Sequence, residues 1–79
     1  MERTAVFDVV RSTAVDLLDL EASQLTEDTT FGALSVDSLA LVEYCMALED
    51  ALSVALPEDE VAQTATVGQF VDLVVRKTA

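Results

Sequence analysis

The side chains that could carry chemistry in this sequence are few, and most are carboxylates or hydroxyls. There is no histidine, and Cys45 is the only cysteine. A nucleophile paired with an imidazole base and a Cys/His metal site are therefore both excluded. The consecutive acids Glu58–Glu60 would point in different directions on a helix, so we interpret them as first-turn charges rather than a catalytic pair. No segment has the spacing of a calcium loop, and we expect no metal site.

The remaining candidate is the hydroxyl of Ser38, which follows Asp37 and precedes a long run without glycine or proline. That run predicts a helix from Ser38 to about Leu52, with Asp37 or Ser38 as its N-terminal cap. An isolated Asp-Ser pair at such a position is most often only a helix cap. The surrounding residues must therefore decide whether Ser38 has a further role.

Apolar spacing predicts a helix at each end of the chain. From Thr4 to Asp19 apolar residues recur at steps of three and four, which marks one helical face. Thr66 can cap a last helix, whose C-terminal end carries Arg76 and Lys77. The predicted core-facing residues are Val6, Val10, Ala14, Leu17 and Leu18 in the first helix and Val67, Phe70, Val71 and Val74 in the last.

A long loop and a short helix complete the predicted fold. The segment between Leu20 and Asp37 has no sustained period, so we expect a loop anchored by its apolar side chains. Pro57 prevents the second helix from continuing and opens a short third helix that reaches about Gln63. The sequence thus predicts an all-α fold: a small four-helix bundle of three main helices and one short helix, with a long first loop, as a single domain over residues 1–79.

The predicted second helix carries two apolar rows, although packing into a bundle requires only one. The core row comprises Leu41, Cys45, Leu48 and Leu52, broadened by Tyr44. A second row of Leu39, Val42 and Met46 is rotated away from it, with Glu43, Glu49 and Asp50 along its flank. We interpret the second row as a protein-binding strip. The alternative is a helix surrounded by other elements, with both rows buried.

Charge restricts the possible partners. The chain has 15 Asp and Glu against 4 Lys and Arg, a net charge of −11, and no basic residue lies between Ser12 and Val75. Such a surface repels nucleic acid and anionic membranes, and it suits a positively charged protein partner. No apolar run reaches the roughly 18 residues of a membrane span, and the start lacks the features of a signal peptide. We therefore expect a cytoplasmic protein whose Cys45 is a buried, reduced thiol.

The residues around Ser38 form a longer pattern. It comprises Phe31-Gly32, Asp37-Ser38-Leu39, Val42-Glu43, Met46-Ala47-Leu48-Glu49-Asp50, Leu56-Pro57-Glu58-Asp59 and Thr66-Val67-Gly68. Over about residues 4 to 75 this pattern resembles the acyl carrier protein family. The resemblance implies that Ser38, flanked by Asp37 and Leu39, receives 4′-phosphopantetheine from coenzyme A. The thiol of the attached phosphopantetheine then carries acyl groups. The resemblance also implies that the chain is not an enzyme, so the absence of histidine is expected.

The same resemblance implies a docking surface on the second helix. Its members would be Leu39, Val42 and Met46, with the acids Asp37, Glu43, Glu49 and Asp50. They would meet basic patches on a phosphopantetheinyl transferase, an acyltransferase, a ketosynthase or another acyl-processing enzyme. Such transfers favour rapid, steered association of moderate affinity, and we expect a monomer when the chain is free.

The sequence also departs from the family pattern. Ser35 stands where members usually have glycine, so we expect an effect on the loop backbone just before Ser38. Ala40-Leu41 is more apolar than the usual pair, which favours polyketide or related natural-product synthesis over fatty-acid synthesis. Two alternatives stay open: an aminoacyl, peptidyl or D-alanyl carrier protein, and an unmodified acidic helical interaction module.

Overall fold

Residues 2–78, which the computed structural model describes, form four α-helices. Their bounds are α1 Arg3–Leu18, α2 Ser38–Leu52, α3 Glu58–Ala62 and α4 Val67–Thr78. Two short 3₁₀ turns, Ala22–Gln24 and Gly32–Leu34, interrupt the connection from α1 to α2. The predicted all-α fold, with three main helices, one short helix and a long first loop, is confirmed. Within these residues no helix is long and apolar enough to cross a membrane.

All four helices contribute to one apolar core. The buried side chains are Val6, Val10 and Ala14 of α1, Tyr44, Cys45 and Leu48 of α2, Val61 of α3, and Val67, Phe70, Val71, Leu73 and Val74 of α4, together with Leu25 and Leu56 from the connections. The predicted faces of α1 and α4 are therefore correct with one exception. Leu17 is 53% exposed, whereas Leu18 in the same last turn of α1 is half-buried against the core.

A buried tyrosine joins α2 to α1. The Tyr44 hydroxyl donates a hydrogen bond to the backbone carbonyl oxygen of Val10 at 2.6 Å, so its polar group is satisfied inside the core. The Tyr44 ring lies 6.0 Å from that of Phe70, which in turn meets Phe31 edge-to-face at 5.4 Å. Phe31 thereby anchors the long loop to the helical core, as the sequence predicted for the apolar residues of that loop.

The long loop is also hydrogen-bonded to the start of α4. The Val67 N–H donates to the carbonyl of Thr29 at 2.7 Å, and the Gly68 N–H donates to the carbonyl of Glu27 at 2.9 Å. A Cβ atom at Gly68 would lie 2.9 Å from that same Glu27 oxygen, so glycine permits the close approach of the two segments. These contacts fix the path of the loop that leads to α2.

Arg3 closes this junction from the α1 side. Its Nη1 and Nη2 donate to the two carboxylate oxygens of Glu27 at 2.6 and 2.7 Å, and its Nε donates to Asp72 at 2.8 Å. We call Arg3, Glu27 and Asp72 the Arg3 clasp, because it joins α1, the loop and α4. The hydrogen bonds from Arg3 lower the pKa of Glu27.

The loop reaches α2 through a strained residue. Ser35 ends the second 3₁₀ turn in the left-handed region, with φ 57° and ψ 36°. This is the conformation in which a Cβ atom crowds the following carbonyl and which glycine adopts without that cost. The departure from the family glycine thus leaves backbone strain three residues before Ser38.

Ser35→Gly should therefore stabilise the protein. Relief of the left-handed strain is worth about 1 to 2 kcal/mol, and the extra entropy of glycine in the unfolded chain offsets about 0.4 to 1 kcal/mol of it. Urea denaturation would measure the free energy of unfolding. The control is Ser23→Gly, at a negative φ, which should lower stability; a stabilisation by both variants, or by neither, would contradict the strain assignment.

The Arg3 clasp should make stability depend on pH. Arg3 lowers the pKa of Glu27 in the folded state below its ordinary value of about 4.5. The Glu27 carboxylate therefore stabilises the fold at any pH above about 4.5, and this stabilisation is lost as the pH falls through the folded-state pKa. Glu27→Gln should thus melt below wild type at pH 7, and the two should converge in acid. Asp28→Asn, which removes a neighbouring exposed carboxylate, is the control for net charge. A Glu27→Gln deficit that persists in acid would count against the clasp.

Candidate functional site

Ser38 is the first residue of α2, and its neighbour Asp37 caps the helix. A carboxylate oxygen of Asp37 accepts a hydrogen bond from the Ala40 N–H at 2.7 Å, and its backbone carbonyl accepts from the Leu41 N–H at 3.0 Å. Of the two cap residues that the sequence allowed, the structure uses Asp37. The Ser38 side chain is exposed and makes no hydrogen bond within residues 2–78. Its hydroxyl is therefore not needed for capping.

The backbone beside Ser38 suits an attached phosphodiester. The first N–H groups of a helix have no intrahelical acceptor, and the helix dipole favours negative charge there. Asp37 accepts from Ala40 and Leu41, which leaves the N–H groups of Ser38 and Leu39 without a partner among the described residues. An anionic group on the Ser38 oxygen would lie next to these two donors. The residues present thus fit a phosphopantetheine arm.

The second apolar row of α2 is exposed. Leu39, Val42 and Met46 are 69%, 45% and 58% exposed, respectively. In the core row, Tyr44, Cys45 and Leu48 are buried, whereas Leu41 and Leu52 are half-buried. The alternative in which neighbouring elements bury both rows is therefore wrong. We call Leu39, Val42 and Met46, with the acids beside them, the α2 strip.

The four acids beside this row are not equivalent. Glu43 and Asp50 are exposed and make no ion pair or side-chain hydrogen bond within residues 2–78. Asp37 caps α2. Glu49 is half-buried, and its Oε2 accepts a hydrogen bond from the backbone N–H of Leu56 at 2.9 Å. Two of the acids are thus free to meet a partner, and two also hold backbone in place.

A groove runs from Ser38 between α2 and α3. Its volume is about 240 Å³, and its walls are mostly apolar. The lining residues include Leu41, Cys45 and Met46 of α2, Val61 and Ala62 of α3, and Leu56 between them. Sequence reasoning missed this groove, because periodicity within α2 does not show how α3 packs against it.

Cys45 lies in the wall of this groove as a free thiol, only 9% exposed. Burial, and secondarily the negative charge of Glu49, raise its pKa to about 11. The thiol is therefore protonated at neutral pH and is a poor nucleophile. The prediction of a buried cysteine is confirmed, and Cys45 has no evident catalytic use.

Comparison with known proteins identifies the family. The sequence model of the phosphopantetheine attachment site matches residues 8–74. The acyl carrier protein of Picosynechococcus sp. is 34% identical over 74 residues, which cover 92% of this chain and 91% of that protein. This chain belongs to the acyl carrier protein family. An acyl carrier protein of Guillardia theta is likewise 34% identical over 80 residues, covering 100% of this chain and 99% of its relative.

Family membership confirms several expectations that followed from the resemblance. Acyl carrier proteins hold a covalent 4′-phosphopantetheine group, and they are carriers rather than catalysts. The thiol of that group binds acyl groups as thioesters. Their partners are, in general, a phosphopantetheinyl transferase and the enzymes that process acyl groups. An exposed hydroxyl, an acidic surface and the absence of histidine are all compatible with such a role.

Proposed function

We propose that this chain is a discrete acyl carrier protein that carries acyl intermediates on a 4′-phosphopantetheine arm attached to Ser38. The observation that supports this most directly is the state of the Ser38 hydroxyl. It is exposed, it begins α2, and Asp37 makes the capping hydrogen bond in its place. A modifying enzyme can therefore reach this oxygen without disturbing the helix cap.

The attachment needs no base from this chain. The Ser38 oxygen attacks the phosphorus that bears pantetheine in coenzyme A. An O–P bond forms to Ser38, the pyrophosphate P–O bond breaks, and adenosine 3′,5′-bisphosphate leaves. The hydroxyl proton passes to the transferase, which supplies the base that this histidine-free sequence lacks.

We further propose that the α2 strip docks the partner enzymes. Leu39, Val42 and Met46 supply exposed apolar contact, and Glu43 and Asp50 supply unpaired negative charge beside it. A basic patch with apolar residues would complement both features. Because rim charges mainly accelerate encounter, this surface suits a monomeric carrier that must bind and release several enzymes in turn.

The groove offers a binding site for the acyl cargo next to its attachment point at Ser38. It begins at Ser38 and is lined mainly by apolar side chains, so we propose that it receives the apolar part of an acyl group. Leu41 contributes to this wall where typical fatty-acid carriers have a more polar residue. Because Leu41 and Ser35 both depart from the pattern of typical fatty-acid carriers, we propose that this carrier acts in polyketide or related natural-product synthesis. Neighbouring genes for polyketide-synthesis enzymes would support that choice.

The attachment site can be tested by intact-mass measurement. Incubation with coenzyme A and a broad-specificity phosphopantetheinyl transferase should add one phosphopantetheine group to wild type and none to Ser38→Ala. Ser35→Ala, which removes an exposed hydroxyl three residues before Ser38, should be modified like wild type. Failure to modify wild type would instead favour an unmodified acidic interaction module.

The α2 strip can be tested with a matched pair of exposed apolar residues. Met46 and Leu17 are 58% and 53% exposed, so truncation of either to alanine should change the free energy of unfolding by no more than about 0.5 kcal/mol. Met46→Ala should lower kcat/KM for phosphopantetheinylation by about fivefold to tenfold. Leu17→Ala should leave it unchanged. Equal effects of the two substitutions would refute docking through the strip.

A further inference from the structure

We infer that Glu49 couples docking at the α2 strip to the position of α3, and hence to the width of the groove, through its hydrogen bond to Leu56. The inference rests on the proposed function, because it requires a partner that binds the strip. It assigns to Glu49 a positioning role that Glu43 and Asp50 do not share.

Glu49 holds the turn that follows α2 at several points. Its backbone carbonyl accepts hydrogen bonds from the N–H groups of Ser53 and, at 3.2 Å, Val54. Its carboxylate reaches further along the chain and accepts from the Leu56 N–H at 2.9 Å. One residue thus fixes most of the connection between α2 and α3.

The position of α3 depends on such anchors. The helix has only five residues, and helices this short are not stable in water without tertiary contacts. On one side Lys77 of α4 pairs with Glu60 at 2.9 Å. On the other side the chain is held by the Leu56 side chain, which is 6% exposed, and by the bond from its N–H to Glu49. Loss of that bond would loosen the side of α3 that faces α2.

That side is also a wall of the groove. Leu56 and Val61 face the α2 residues Cys45 and Met46 across it. If the Leu56 backbone is released, the two walls can separate and the space next to Ser38 becomes wider. A cargo held in the groove would then be easier to withdraw.

A docked partner can take the Glu49 carboxylate away from Leu56. Glu49 lies one turn after Met46, on the flank of the exposed row, so a cation that contacts the strip comes within its reach. A guanidinium prefers to bind both oxygens of a carboxylate. It would therefore compete with the Leu56 N–H for Oε2, and a charged donor binds a carboxylate more strongly than a neutral amide does.

Variants of the free carrier test the first half of this coupling. Glu49→Ala should speed hydrogen exchange of the Leu56 amide about fivefold, the equivalent of one hydrogen bond, and should speed alkylation of Cys45, the only cysteine. Glu49→Gln removes the same charge from beside Cys45 but keeps an oxygen that accepts from Leu56, so Leu56 exchange should stay near wild type. Its Cys45 alkylation should rise only by the effect of the lost charge on the thiol pKa, and so by less than in Glu49→Ala. Asp50→Ala is the control for an acid without the backbone bond. Equal acceleration in Glu49→Ala and Glu49→Gln would overturn the assignment.

A docked complex tests the second half. Ser38→Ala carrier, which cannot be modified, is saturated with a phosphopantetheinyl transferase and coenzyme A, and exchange of the Leu56 amide is followed by NMR. Binding should speed this exchange about fivefold in the Glu49 carrier and leave it unchanged in the Glu49→Gln carrier. If Leu39 and Met46 signals shift while Leu56 exchange does not rise, the coupling is wrong but docking through the strip stands. If no strip signal shifts, the docking proposal fails, and the coupling fails with it.

Discussion

The hydrogen bond between the Ala40 N–H and the Asp37 carboxylate determines where α2 begins, and the geometry of the site follows from it. Because the aspartate makes the cap, the next residue lies within the first helical turn with its hydroxyl unused. The row that starts at Leu39 then follows the same helix away from this hydroxyl at helical spacing. This one cap thus sets the angular positions of the Ser38 oxygen and of the docking row around the axis of α2.

The distribution of charge divides the molecule into a part that maintains the fold and a part that is available to partners. Arg3 and Lys77 join segments that are distant in sequence, through ion pairs to Glu27 and Asp72 and to Glu60. Arg11 pairs within α1. Exposed pairs of this kind contribute little individually, and the acids that they engage all lie outside α2. The acids of α2 make no ion pair within residues 2–78, so they contribute unneutralised negative charge where docking is proposed.

Local pattern predicted those features that depend on one helix at a time. The bounds of α2, its two rows and the buried faces of α1 and α4 all follow from periodicity and capping residues. Features that require two distant segments were not accessible in the same way. The Arg3 clasp and the groove depend on how helices pack, and the sequence marks neither of them. The bond from Leu56 to Glu49 spans only seven residues, but it depends on the path of the turn after α2, which the sequence does not mark either. Leu17 shows the same limit, because its helical angle is correct but its side chain is 53% exposed, whereas the adjacent Leu18 packs against the core.

The two roles of Glu49 bear on how tightly a partner can bind. A half-buried carboxylate needs a hydrogen-bond donor, and Leu56 supplies one when the carrier is free. When a partner binds this carboxylate, the complex gains a charged pair but the carrier loses its bond from Leu56 to Glu49. The net binding free energy from Glu49 is the difference between these two contributions. Dissociation is then assisted by the return of Glu49 to Leu56. The same exchange that opens the groove therefore limits affinity, which is the property required of a carrier that must leave one enzyme before it can meet the next.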